Sequence, residues 1–352
     1  MRPLVARISL DALAHNLRVA RRHAGQSRIL SVIKANAYGH GLTRAVRALG
    51  HADGFAVLTV EEAANLRQMG VEKPILLLEG PFQAGEMATI AELDLIPVLH
   101  NLQQLNWLPL SHKPLSVFLK FNSGMNRLGF SLADFDGVIE QVKAFANIDQ
   151  ITLMTHFATA DDELGIDWQW KRFIGKAKLT DLPVSAANSA AFLRYPETRR
   201  EWSRLGIMLY GASPFADMTA AELELRPVMT LQSEIIAVQH LKAGEGAGYG
   251  VTFMAGEATR VGIVACGYAD GYPRHAPTGT PVMVNGKRTR TLGRVSMDML
   301  AVDITNLPDA DMGSPVTLWG EGMPIEEVAR HAGTISYELM CALAPRVAVI
   351  EE

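Results

Sequence analysis

The chain has 352 residues, of which 48% are hydrophobic and 20% charged, with a formal net charge of −4 and an isoelectric point near 6.2. That composition belongs to a globular protein rather than a disordered one, and its acidic balance argues against nucleic acid as a partner, since binding phosphates relies on clustered Lys and Arg. The two cysteines, Cys266 and Cys341, lack CxxC spacing and imply neither a disulfide framework nor zinc, so no metal is expected. The start, MRPLVARISLDALAHN, lacks the apolar stretch of a signal peptide, and no later segment nears the roughly 18 apolar residues that span a bilayer. A soluble protein of a reducing cytoplasm, with no membrane partner, is the expectation.

From residue 28 to 211, short apolar, β-branched runs alternate with helical patterns. The runs are RILSVIKA, GFAVLTV, PILLLEG, LIPVLH, LSVFLKF, ITLMTHF, LPVSAAN and RLGIMLYG, eight strand candidates. Between them TVEEAANLRQMG reads as a helix: Thr59 can cap it, Glu61 and Glu62 suit its positive end, and Gly70 ends it. SLADFDGVIEQVKAF does the same, with Phe135, Val138, Ile139 and Val142 at spacings of three and four. Nearly continuous apolar strands joined by helices are buried on both faces and therefore parallel. Eight such units suggest a (β/α)8 barrel of the TIM type, although a doubly wound open sheet has the same local pattern.

Beyond about residue 226 the pattern changes to strands separated by turn signals, Asn285-Gly286 being the clearest two-residue hairpin. Only IEEVARHAG, after Pro324, reads as a good helix there. The expected architecture is α/β, a barrel with a C-terminal mostly-β domain.

One stretch in the barrel raises a chemical question. SVIKANAYGHG puts Lys34 at the C-terminal end of the first strand, where the loops of such barrels build active sites. A solvent-exposed lysine opening a loop is equally compatible with that position. A desolvated lysine amine, however, can lose its proton and attack a carbonyl such as the aldehyde of pyridoxal phosphate.

The surrounding motifs decide between the two. VIKANAYGHG resembles the cofactor-lysine signature of alanine racemases. SGMNRLGF (123–130), THFATAD (155–161), ANSAA (187–191), RLGIMLYG (204–211), GYG (248–250), GYADGYPR (267–274), GRVSMD (293–298) and SYEL (336–339) follow in that family's order, over essentially the whole chain. Each is weak alone, but nine in register make the resemblance specific. It implies the barrel rather than the open sheet, with residues 11–226 binding pyridoxal 5′-phosphate. Residues 227–352, together with 1–10, would form the β domain that contributes a second base.

The resemblance also implies roles. Lys34 would carry the cofactor and act as one base; Tyr249, reaching from the second subunit of a homodimer, would be the other, with His156 and Arg204 in its network. Two bases suit the reaction, because a single base tends to return a proton to the face it came from. The cofactor phosphate would be met by Ser189, by the backbone N–H groups of Gly206 and Ile207, and by Tyr38 and Tyr337. Arg204 would face the pyridine nitrogen; having donors only, it requires that nitrogen to remain unprotonated, which weakens the electron sink and disfavours transamination. Arg127, with the N–H of Met297, would hold the substrate carboxylate, and Tyr268 would line the substrate entrance. Lys120 matches a lysine that many relatives carbamylate, although Asn122 stands where an aspartate is common. Ser296 and Ser185 replace a cysteine and a histidine found in some relatives.

The implied activity is interconversion of L- and D-alanine, supplying D-alanine for peptidoglycan or degrading it. A broad-specificity amino-acid racemase of the same fold is the near alternative. A non-catalytic pyridoxal-phosphate carrier lacks the β domain, and a barrel decarboxylase normally pairs the pyridine nitrogen with a carboxylate where this chain has Arg204.

Overall fold

The computed structural model describes residues 2–352. Strands Arg28–Val32, Gly54–Val57, Ile75–Leu77, Ile96–Leu99, Leu115–Asn122, Ile148–Met154, Val184–Ser185 and Trp202–Leu205 all pair in parallel. Val98 and Leu99 lie against Phe118 and Leu119, while Leu30 lies between Gly54 and Arg204, so the sheet closes and the open-sheet alternative is excluded. Burial on both faces explains why these strands read as continuous apolar runs: Ile29 to Val32 are all buried.

The helices on the outside follow their sequence signals. Val60–Gln68 starts with a full capping box between Thr59 and Glu62, and Gly70 follows its end at φ 80. Phe135–Lys143 buries the stripe Phe135, Val138, Ile139 and Val142.

Two strand expectations need correcting. In RLGIMLYG the strand is Trp202–Leu205, which begins before the motif, and Ile207–Tyr210 form a 3₁₀ turn. All four of these turn residues are buried, so burial gave a helical turn the apolar texture of a strand. In LPVSAAN only Val184 and Ser185 are extended in the sheet.

The β domain begins, in sheet terms, at the N-terminus. Val5–Ile8 lies between the long strand Met229–Leu241 and the last strand Ala348–Glu351, so both chain ends join one sheet. Met229–Leu241 also pairs with Thr259–Val264 and Pro315–Trp319. The Asn285-Gly286 hairpin joins Pro281–Val284 to Lys287–Leu292, with φ of 49° and 72° as a type I′ turn requires. Besides Ile325–His331 there is a second helix, Ser336–Cys341, too short to show an apolar period in the sequence. Among the described residues no helix is long and apolar enough to cross a membrane, and Cys266 and Cys341 are both free thiols.

Candidate active site

Lys34 lies two residues beyond the end of its strand, and the backbone then takes an unusual path. Ala35, Asn36, Ala37 and Tyr38 all have φ between 51° and 54°, a left-handed turn built from non-glycine residues. Left-handed conformation costs about 1–2 kcal/mol per such residue, and strain of this kind persists where the surroundings over-determine it. Here the Ala37 N–H donates to Ile33 O at 2.9 Å, the Gly41 N–H to Asn36 O at 2.9 Å, and the Leu42 N–H to Asn36 Oδ1 at 2.9 Å. Glu62 Oε1 accepts from the Ala35 N–H at 3.0 Å. Gly39 must be glycine: at φ 80 a Cβ would lie 2.2 Å from Met340 O. The turn returns Tyr38 toward the barrel mouth, where its ring packs 4.6 Å from Tyr210 and 5.8 Å from Tyr337.

A cavity of about 440 Å³ opens there. On one side it is lined by Tyr38, Ser189, Gly206, Ile207 and Tyr337. Asn188 caps the helix that Ser189 begins, and the Gly206 N–H donates to Ser189 Oγ at 3.1 Å just before the turn Ile207–Tyr210. Two helical starts and a hydroxyl thus converge without a cation, a pattern suited to an anionic group. A Cβ on Gly206 would come within 2.6 Å of Tyr38 Oη, so glycine keeps this cradle open.

Four cations also line it, among apolar side chains that include Leu78, Leu128 and Met154. Lys34, Lys120, Arg127 and Arg204 face the same cavity, with Glu79 the only carboxylate among its lining residues. Burial, and then the charges of Arg204 and Arg127, push the Lys120 amine down to about 8. Asn122 sits at the base of the Arg127 loop, where its Oδ1 accepts from the N–H groups of Gly124 and Asn126, both at 3.0 Å.

Arg204 is buried, and each of its contacts is an acceptor. It donates to Ser185 Oγ at 2.7 Å, to Thr155 O at 2.8 Å, to His156 Nδ1 at 3.2 Å and to Ala186 O at 3.3 Å. Burial lowers the affinity of the guanidinium for its proton, but a group with this many acceptors and so high an intrinsic basicity stays charged. Because Arg204 has no lone pair to offer, His156 Nδ1 must be the acceptor, and the proton of the neutral ring resides on Nε2. Burial first, and the neighbouring Arg204 second, hold the His156 imidazole well below its usual range.

Three expected residues lie elsewhere. Tyr249, Tyr268 and Met297 do not line this cavity; they sit on the β domain, 71%, 37% and 52% exposed. The Tyr268 N–H donates to Ser296 O and the Ala269 N–H to Met297 O, both at 3.0 Å, which brings those two loops together.

Sequence reasoning missed Gln169. It is fully buried; its Oε1 accepts from the Ala158 N–H at 2.7 Å, and its Nε2 donates to Ser123 Oγ at 3.1 Å and to His156 O at 3.2 Å. It ties the His156 segment to the start of the Arg127 loop, yet in DWQWKRF nothing distinguishes it from a surface glutamine. Among the described residues no cluster of three His, Cys, Asp or Glu could hold a metal ion. The cavity could hold a small cofactor with an anionic group near Ser189 and Gly206 and a carbonyl within reach of the Lys34 amine.

The family profile of the alanine racemase N-terminal domain matches residues 8–214, and that of the alanine racemase C-terminal domain matches residues 228–351. The chain is 65% identical to a protein of Thiobacillus denitrificans named alanine racemase, over all of this chain and 96% of that one. It is 52% identical to the catabolic alanine racemase of Klebsiella aerogenes, over 99% of both chains. Among solved structures it superposes on the biosynthetic alanine racemase of Pseudomonas aeruginosa with a TM-score of 0.97 and 46% identity, covering both chains fully. It also superposes on that of Bartonella henselae, described as carrying covalently bound pyridoxal phosphate, with a TM-score of 0.90 and 28% identity, again over the full length of both. The chain belongs to the alanine racemase family.

Proposed function

We propose that this protein interconverts L- and D-alanine with pyridoxal phosphate held through Lys34, in a homodimer whose two active sites are each completed by the other subunit. Residues 11–226 bind the cofactor, and residues 227–352 with 1–10 present the second base to the partner's barrel. The observation that carries this reading is the division of the site. The lysine, anion cradle and carboxylate-binding arginine face one cavity, while Tyr249, Tyr268 and Met297 are displayed outward on the β domain.

Pyridoxal phosphate, when bound, supplies the electron sink that lets a proton leave the substrate α-carbon. The chain supplies position and bases. Ser189 and the backbone N–H groups of Gly206 and Ile207, with Tyr38 and Tyr337, take the phosphate, the Gly206 N–H turning to it from Ser189 Oγ; Arg127 takes the substrate carboxylate as a bidentate donor. Lys34 removes or returns the α-proton on one face. The partner's Tyr249 does so on the other, with Tyr268 beside the entrance.

A free phenol with a pKa of about 10 is a weak base near neutrality. The Nε2–H of His156, held in that tautomer by Arg204, can donate to the phenol oxygen and stabilise its deprotonated form. Lys120 is proposed to react with carbon dioxide: its neutral amine forms the N–C bond and loses a proton to solvent, giving a carbamate whose negative charge is matched by the surrounding cations.

Racemisation of each common amino acid by the protein loaded with pyridoxal phosphate tests the activity. The expected result is loss of optical activity for both enantiomers of alanine and much less for larger side chains. Equal rates on serine or lysine would favour the broad-specificity alternative.

A further inference from the structure

The left-handed turn after Lys34 is tied to the neighbouring βα unit by one side chain, Glu62. In the capping box of helix Val60–Gln68, the Glu62 N–H donates to Thr59 Oγ1 at 3.2 Å. Glu62 Oε2 accepts in return from the N–H groups of Leu58 at 2.7 Å and Thr59 at 3.4 Å. A capping box needs nothing more of its glutamate. The second oxygen, Oε1, instead reaches into the first βα loop and accepts from the Ala35 N–H at 3.0 Å. Ala35 is the peptide unit directly after Lys34 and the first of the four left-handed residues.

We propose that Glu62 is a positioning residue for Lys34: its carboxylate clamps the N–H next to the cofactor lysine and thereby fixes where the lysine amine enters the cavity. This inference rests on the reading that Lys34 holds the cofactor. Both oxygens are needed as acceptors, one for each loop. Glutamine can offer only one, because its amide nitrogen would face an N–H. Glu62→Gln therefore keeps the shape of the side chain and loses one of the two links. Thr59→Ala weakens the same capping box while leaving the bond to Ala35 intact, and so controls for stability alone.

The test measures three quantities for the wild type, E62Q and T59A: the melting temperature of the apoprotein, its affinity for pyridoxal phosphate by titration, and the fraction of cofactor attached to Lys34 after borohydride reduction and peptide mapping. The inference expects E62Q to bind the cofactor about tenfold more weakly, as for one hydrogen bond to a charged group, and to trap less of it on Lys34, while T59A stays within about twofold of wild type. If E62Q is not recovered folded, Glu62→Asp, too short to reach both loops, is judged by the same criterion. Equal affinities in E62Q and T59A, with the wild type trapped at Lys34, would overturn the inference alone. A wild type that traps no cofactor at Lys34 would overturn the functional reading and the inference with it.

Discussion

Arg204 donates to His156 Nδ1 across 3.2 Å, deep in the barrel mouth, and so decides which nitrogen of that imidazole carries the proton. The same guanidinium leaves the cavity wall a donor without a neighbouring carboxylate to oppose it. Replacing Arg204 by glutamate reverses that polarity. Racemisation should slow by roughly a hundredfold, the scale of losing one preorganised electrostatic contact. The slowed enzyme should make pyruvate by side transamination, measurable with lactate dehydrogenase. A variant that is slow and makes no pyruvate contradicts the role given to Arg204.

Buried neutral histidines make the fold sensitive to acid. His40 is fully buried, its Nδ1 within 3.0 Å of Ala37 O and 2.9 Å of Tyr38 O, and burial pushes its imidazole down to about 4. His156 is shifted in the same direction. Unfolded histidine titrates near 6.5, so below that pH the unfolded state binds more protons and stability falls as the pH drops from 6.5 toward 4. For His40 the loss is roughly 3 kcal/mol at 1.36 kcal/mol per pKa unit. Urea midpoints measured between pH 7.5 and 4.5 should decline, with a shallower decline in His40→Phe; identical slopes would refute the assignment.

Gly206→Ala would press a methyl group to within 2.6 Å of Tyr38 Oη, a side chain already 92% buried. Overpacking of this kind costs about 1–3 kcal/mol, here borne by the proposed phosphate cradle, so affinity for pyridoxal phosphate should fall roughly tenfold to a hundredfold. Spectroscopic titration of the apoprotein reads this directly. Unchanged affinity would place the phosphate elsewhere.

With its amine pushed down to about 8, Lys120 has a sizeable neutral fraction in mildly alkaline solution and can react with carbon dioxide. Isotopically labelled bicarbonate should give a carbamate carbon signal that grows as the pH rises toward 8 and is absent in Lys120→Arg. A signal unaffected by that substitution would assign the carbamate to another lysine.

The position of Lys34 was legible in a local pattern, and the other candidate residues that meet in the barrel cavity were legible only through the order of the family-like motifs. Lys34 follows an apolar strand by two residues, and Ser189, Gly206 and Ile207 fall where the chain leaves the barrel strands. What escaped was set by tertiary context. Nothing in KANAY announces four residues held left-handed against their own preference, since the Glu62 bond and the close passage of Gly39 past Met340 that hold them come from distant segments. Ile207–Tyr210 looked like a strand because a buried turn is as apolar as one, and Gln169 looked like surface because burial is not written in a single polar residue.

In the proposed dimer Lys34 of one subunit works with Tyr249 of the other. Lys34→Ala and Tyr249→Phe homodimers should each be nearly inactive, since each lacks one base in both sites. Mixed and allowed to exchange subunits, they should form hybrids in which one site unites an intact Lys34 with an intact Tyr249, restoring about a quarter of wild-type activity for random pairing. Demonstrated hybrid dimers that remain inactive would contradict a site shared between Lys34 and the partner's Tyr249.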